Sequence, residues 1–125
     1  MGKGSQQKGR RGEIELRDRL KEYGYDVECG EPQSFGKFPD LVGLPGIHIE
    51  CKRAERLNIP KAMQQAVDDS EKFGDGLPAV FHRRNRQPWL VTVRLDDFMR
   101  MYQAAAESSA VTSCGAGEYK NTSEG

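Results

Sequence analysis

No stretch of this sequence is apolar for long enough to span a membrane, and its basic, glycine-rich start lacks the hydrophobic core of a secretion signal. Met1-Gly2 opens like a myristoylation signal, but Gln6 stands where that signal needs Ser or Thr. The cysteines are three, Cys29, Cys51 and Cys114, odd in number and far apart, with no CxxC. That spacing excludes a disulfide framework and a zinc ribbon and suits a reducing compartment. Internal repeats are also missing. A soluble cytoplasmic protein is expected. Apolar residues make up only 36% of the 125, so the core is small and belongs to one domain. Net charge is zero, which neither demands nor excludes a nucleic-acid partner, yet the charges are unevenly placed. Residues 1–12 carry Lys3, Lys8, Arg10 and Arg11 and no acid, whereas the last stretch carries Glu107, Glu118 and Glu124 against Lys120.

Periodicity and turn residues divide the chain. Residues 1–9 read as a flexible basic arm, 10–106 as the folded domain and 107–125, rich in Ser, Gly, Thr and Ala, as a disordered tail. A first helix is expected from about Arg10 to Tyr23, stopped by Gly24, with Leu16, Leu20 and Tyr23 as its apolar stripe. Tyr25–Cys29 alternates as a short strand, and 30–38 is a Gly, Pro and Ser loop. Two strands around Pro45-Gly46 follow, and then a helix from about Pro60 to Phe73 that buries Ile59, Ala62, Met63, Ala66, Val67 and Ser70. Leu77–Arg83 and Pro88–Arg94 form a second strand pair. Asp96 is suited to cap a last helix over 97–106, packed through Phe98, Met101 and Tyr102. The order is α-β-β-β-α-β-β-α, a mixed sheet with helices against it.

The chemistry gathers in Phe38–Arg53. Asp40 opens one strand of that hairpin, and Glu50 and Lys52 lie together on one face near the end of the other, with Ile47, Ile49 and Cys51 on the opposite face. Two carboxylates and an ammonium are what a magnesium-dependent phosphodiester-cleaving site requires, with the Cys51 backbone carbonyl as a further ligand. The alternative is a half-buried hairpin whose charged face meets solvent. Extending the stripe of the first helix one turn back lands on Glu13, whereas Glu15, Asp18 and Glu22 lie off it. Glu13 is thus the acid of this helix expected to face the protein body, where it needs a partner or a metal; at a frayed first turn it is instead solvated and favoured by the helix dipole. A parity condition applies. With a flush two-residue turn at Pro45-Gly46, Asp40 projects to the face opposite Glu50. A shared metal site therefore requires an odd loop, a bulge, or Asp40 outside the ladder. Lys8, Arg10 and Arg11 on the arm, Arg53 and Arg56 beside the site, and Arg84 and Arg86 in the later turn are candidates to track phosphates, or else a solubilising surface. His48 and His82 read as surface or strand residues, Met99 and Met101 as helix packing, and Gln64 and Gln65 as flanking the buried stripe of the second helix.

Pro39-Asp40 followed by Glu50-x-Lys52 resembles the PD-(D/E)xK nuclease signature, and residues from about Gly9 to Trp89 are similar to archaeal-type Holliday-junction resolvases and their phage-encoded relatives. Glu13-Ile14-Glu15-Leu16 matches the motif that opens the family's first helix, and the IECKR run at 49–53 matches its catalytic strand. The resemblance implies an α/β restriction-endonuclease-like fold and a dimeric endonuclease, selective for four-way junctions in double-stranded DNA and dependent on Mg²⁺, for which Mn²⁺ substitutes. It implies catalytic roles for Glu13, Asp40, Glu50, Lys52 and Ser34, the last on a loop beside the cut strand. A restriction-like, nicking or flap nuclease of the same fold, or a binding module without catalysis, are the alternatives. The sequence after Arg94 departs from the archaeal pattern.

Overall fold

The structure, a computed structural model, describes residues 2–30 and 39–111, and the side chains of 10–30 and 39–108. Ser34, the side chain of Lys8, and the tail from 112 with Cys114 lie outside the described residues. Three helices, α1 (Gly2–Lys21), α2 (Ile59–Phe73) and α3 (Leu95–Val111), alternate with β1 (Glu28–Cys29), β2 (Leu41–Val42), β3 (Ile47–Arg53), β4 (Leu77–Arg83) and β5 (Leu90–Val93) in the expected order. The chain forms two compact units that meet in sequence at Val93 and Arg94, so the expected 10–106 domain crosses that boundary. No helix among the described residues is long and apolar enough to cross a membrane.

The centre of the first unit is β3-α2-β4. The strands β3 and β4 run parallel in register from Ile47↔Leu77 to Arg53↔Arg83, which requires a crossover, and α2 supplies it. The helix starts where Asn58 caps it: its side chain accepts from Lys61 N–H at 3.0 Å, and Pro60 fills the first turn. It ends where Gly74, at φ 61°, takes the left-handed conformation and donates its N–H to Ser70 O at 2.8 Å. Between those caps it buries Ala62, Ala66 and Ser70, one residue per turn, with Ala62 and Ala66 packed on Val80. The other strand of the sheet, β5, pairs antiparallel with β4. The opposite face of the sheet carries Leu16, Val27, Leu41, Ile49, Ala79 and Phe81, the larger core cluster. There α1 lies so close to β3 that a Cβ on Gly12 falls 2.7 Å from Arg53 Cβ.

Besides β5, shortened from the expected Pro88–Arg94 to Leu90–Val93, the structure departs from the sequence reading at four places. First, α1 begins at Gly2, so the segment expected as a flexible arm forms its first turns, and Glu13 sits inside the helix. Second, the strand expected over Tyr25–Cys29 is reduced to Glu28–Cys29. Third, the strands flanking Pro45-Gly46 do not pair with each other. Leu44 to Ile47 do close a turn, with Ile47 N–H donating to Leu44 O at 3.1 Å and Gly46 at φ 84°, the pattern of a type II turn with Pro second and Gly third. However, β2 pairs with β1 (Glu28↔Val42, Cys29↔Leu41), while β3 takes β4 as a partner over its whole length. Seven paired positions in β3–β4 outweigh the two residues that β2 offers. Fourth, in the second unit α3 begins at Leu95 and runs on to Val111, beyond the expected tail boundary. Arg94 O accepts from Phe98 N–H, so the helix starts one residue before the expected cap Asp96, and Phe98, Met101 and Tyr102, expected to pack, are exposed.

Candidate functional site

Asp40 lies in the bend that precedes β2, outside any ladder. Because β2 and β3 do not pair with each other, the parity condition of a flush hairpin does not apply, and Asp40 reaches the Glu50 cleft from outside any ladder. Asp40 and Glu50 line the same cleft of about 270 Å³, with Pro39, His48, Gln65 and Asp69. Glu50 is buried at the middle of β3 because both faces of this strand are covered, by α1 on the side of Ile49 and Cys51 and by α2 on the side of Glu50 and Lys52. A strand presents alternate residues to alternate faces, so Glu50, Lys52 and His48 share the α2 face.

The polar contacts on that face are specific. Lys52 Nζ lies 3.5 Å from Glu50 Oε2 and donates a 2.8 Å hydrogen bond to Gln65 Oε1 on α2. Of the two glutamines flanking the helix stripe, Gln65 therefore meets the site, while Gln64 donates to Asp68 at 3.0 Å. His48 is 2% exposed. Its Nδ1 stands 2.9 Å from both carboxylate oxygens of Asp75, and its Nε2 3.4 Å from Glu50 Oε1. Burial works against an imidazolium there, but the hydrogen bonds and charges of Glu50 and Asp75 prevail and raise its pKa.

On the other face, Glu13 is 17% exposed, which separates it from a solvated first-turn acid. Arg10 Nη1 lies 3.4 Å away, but burial and the neighbouring Asp40 carboxylate, which also hydrogen-bonds to Glu13, push its pKa up to about 7. The Cys51 thiol is pushed up to about 12 by burial and then by the charges of Glu13, Asp40 and Glu50 around it. Asp40 is therefore the residue that joins the two sides: it couples to Glu13 and shares the cleft with Glu50. Among the described residues, one set of three brings its ligand atoms within 4.8 Å of one another, and it is His48, Glu50 and Asp69. Glu13, Asp40 and Glu50 do not close to that distance as a trio.

The basic candidates divide. Arg53 is 16% exposed and turned inward, its Nε donating to Glu15 Oε1 at 3.1 Å, and Arg83 reaches the same oxygen at 2.9 Å. Arg10 is held near Glu13 and Gly30 O. Arg11, Arg56, Arg84 and Arg86 are exposed. The turn before β5 is fastened by Asn85 N–H donating to Glu55 Oε2 at 2.6 Å, with Arg86 at φ 61°. His82 is half-buried on β4, its Nε2 3.0 Å from Thr92 Oγ1, with desolvation lowering its pKa. The sequence reading takes His48 for a surface or strand residue, whereas it is a buried strand residue between Glu50 and Asp75; Asp69 and Asp75 are not singled out there. The available signal was the alternation His48-x-Glu50-x-Lys52, which places all three on one face.

No protein-family model matches the sequence, and no curated protein matches it. Among solved structures the chain is similar to the Holliday junction resolvase of Archaeoglobus fulgidus, an archaeal hyperthermophile. The two share 25% sequence identity over 69% of this chain and 72% of that one, with a TM-score of 0.52. The resemblance to resolvases read from the sequence thus has its counterpart in the fold. The mixed α/β fold of this chain is that of a resolvase.

Proposed function

We propose that this chain, built on the fold of a Holliday junction resolvase, is a Mg²⁺-dependent, structure-selective endonuclease that cuts four-way DNA junctions by phosphodiester hydrolysis. The observation that carries the reading is the meeting of Asp40 and Glu50 in one cleft, with the Lys52 ammonium 3.5 Å from Glu50. Asp40 and Glu50 would hold the cation with the backbone carbonyl of Cys51, and Glu13 would add a ligand directly or through water. An all-oxygen donor set suits Mg²⁺, and Mn²⁺ is expected to substitute. The site also fits a cation on its own electrostatics, since Glu13, crowded by Asp40 and half-buried, holds a proton up to about pH 7 when nothing else neutralises the pair. A divalent ion held by these residues would supply Lewis acidity toward water and neutralise charge on the phosphate.

The remaining work falls to the chain itself. Lys52, hydrogen-bonded to Gln65, is proposed to orient the attacking water and to offset negative charge that builds on the phosphate oxygens. Ser34, outside the described residues, is proposed to contact the strand beside the cut. Lys8, Arg10, Arg11, Arg56, Arg84 and Arg86 are proposed to follow phosphates, which gives affinity without base reading and suits recognition of DNA shape. Arg53, fixed by Glu15, is proposed to act beside them by shaping the sheet edge. Two copies, one on each side of a junction, would cut two strands symmetrically, so a homodimer is proposed. The reducing cytoplasm suits Cys29 and Cys51, both free thiols.

The test is cleavage of an end-labelled four-way junction and of a matched linear duplex in Mg²⁺. Preference for the junction supports this reading. Equal rates on both substrates would replace it with a restriction-like, nicking or flap nuclease. Junction binding without cutting in Mg²⁺ or Mn²⁺ would replace it with a binding module.

A further inference from the structure

The geometry points to a second cation site on the far side of Glu50 from Lys52, formed by His48 Nε2, Glu50 and Asp69 and suited to a divalent transition ion. Ligand atoms of the three lie within 4.8 Å of one another. They face the cleft of about 270 Å³ that also admits Asp40 and Gln65, so water has access to complete a coordination shell.

His48 is prepared as a nitrogen ligand. Its Nδ1–H donates to the Asp75 carboxylate, with both oxygens 2.9 Å away, and this bond leaves Nε2, turned to Glu50, as the ring nitrogen that would give up its proton to a cation. A carboxylate behind a histidine, holding the ring and raising the basicity of its far nitrogen, is the usual support of a metal-bound imidazole. The ring is 2% exposed and stacks on Phe73 with centroids 6.3 Å apart, so its direction is set by packing as well. Nε2 and Glu50 Oε1 are 3.4 Å apart. That is long for a hydrogen bond, whereas two atoms held about 2.1 Å from one ion at a tetrahedral angle lie about 3.4 Å apart. Asp69 lies on α2 one turn after Gln65 and lines the same cleft, so β3 and the crossover helix both contribute.

The donor set decides the ion. One imidazole and two carboxylates favour Mn²⁺ or Zn²⁺ over Mg²⁺, which seeks oxygen. Glu50 divides its oxygens between the two sites, Oε1 toward His48 and Oε2 toward Lys52. The second site needs neither Asp40 nor DNA, and it stands whether or not the protein cuts junctions.

Mn²⁺ alone, added to the full chain without DNA, is the probe, and electron spin echo modulation reads ¹⁴N coupling from a coordinated imidazole. The chain has two histidines, so the assignment is direct. Coupling is expected in the wild type, in His82→Asn and in Asp40→Ala, and its loss is expected in His48→Gln. Asp75→Asn is expected to weaken Mn²⁺ binding by roughly 10- to 100-fold, as removal of such supporting carboxylates does. Asp69→Asn, a change at a half-buried helix position, is expected to weaken it while leaving the melting temperature close to wild type. If His48→Gln does not fold, coupling in the wild type that survives in His82→Asn carries the assignment. Absence of ¹⁴N coupling in the wild type at saturating Mn²⁺, or its loss in His82→Asn, would overturn the site. Asp40→Ala that loses cleavage but keeps the coupling separates this site from the proposed hydrolytic one.

Discussion

Lys52 on β3 donates a 2.8 Å hydrogen bond to Gln65 on α2, and the same ammonium stands 3.5 Å from Glu50. The bond spans the parallel strand and its crossover helix, so the position of the ammonium depends on the βαβ unit and not on the strand alone. Lys52→Met is expected to lower the single-turnover cleavage rate by about 10²- to 10⁴-fold, the range for removing a group that acts on a transferring proton or on developing charge. Gln65→Ala leaves the ammonium present but less directed, and a loss on the order of tenfold is expected. Junction affinity should change little in either. A Gln65→Ala rate equal to wild type would show that Gln65 does not hold Lys52 for the reaction.

Glu13 supplies a pH test that needs no DNA. Its pKa is about 7 in the folded chain against 4.5 as its ordinary value, raised by burial first and by Asp40 second. Because the folded-state value is the higher one, the folded protein binds this proton more tightly than the unfolded chain. The stabilisation is fully present below pH 4.5 and is lost as pH rises through about 7. Glu13→Gln mimics the protonated form at every pH. In EDTA, its melting temperature is expected to match wild type near pH 5 and exceed it at pH 8 by a few degrees, on the order of 1 kcal/mol. Equal melting temperatures at pH 8 would contradict the burial of this acid against Asp40.

Much of this arrangement is legible in the sequence, and the parts that are not share a cause. β3, α2 and β4 carry their own boundaries: alternation from Ile47, Pro60 at the start of the helix, Gly74 at its end. Glu13 could be chosen from Leu16 and Leu20 by periodicity alone, and the structure does bury it partly on the body side. Partner choice is different. Pro45-Gly46 is a turn in both readings, but whether β3 pairs with β2 or with β4 depends on what α2 brings back some thirty residues later, which no local pattern encodes. His48 is a lone histidine in sequence; only the positions of Asp75 and Asp69, after and on the crossover helix, make it part of a network. The start of α1 at Gly2 runs against the low helix propensity of Gly2, Gly4 and Gly9. In α3, Phe98 and Tyr102 lie at helical spacing and stack at 6.2 Å, so periodicity located the face but not its exposure.

Gly12 sets how closely α1 can approach β3. A Cβ there meets Arg53 Cβ at 2.7 Å and Arg53 Cγ at 3.3 Å. Gly12→Val is expected to cost about 1–3 kcal/mol, as overpacking does, read as a lower urea midpoint at unchanged slope. A midpoint equal to wild type would show that α1 can lift from β3 without loss.

The arginines are expected to separate by partner. Arg56→Ala and Arg84→Ala, at exposed positions, should each weaken junction binding and reduce the slope of log affinity against log salt by about one. Arg53, shared with Arg83 on Glu15 Oε1, is engaged within the fold. Arg53→Ala should therefore lower the melting temperature and leave the salt slope nearly as it was. A slope change equal to that of Arg56→Ala would place Arg53 against phosphate instead.

Asp40, held outside any ladder in the bend before β2, is proposed to work with Glu50 as a cation-dependent hydrolytic site. The most direct measurement is a parallel assay of binding and cleavage of one labelled four-way junction by wild type and Asp40→Ala in Mg²⁺. Cutting by the wild type, with a loss of about 10³-fold or more in Asp40→Ala at unchanged junction binding, is the predicted result. Undiminished cutting by Asp40→Ala would contradict it.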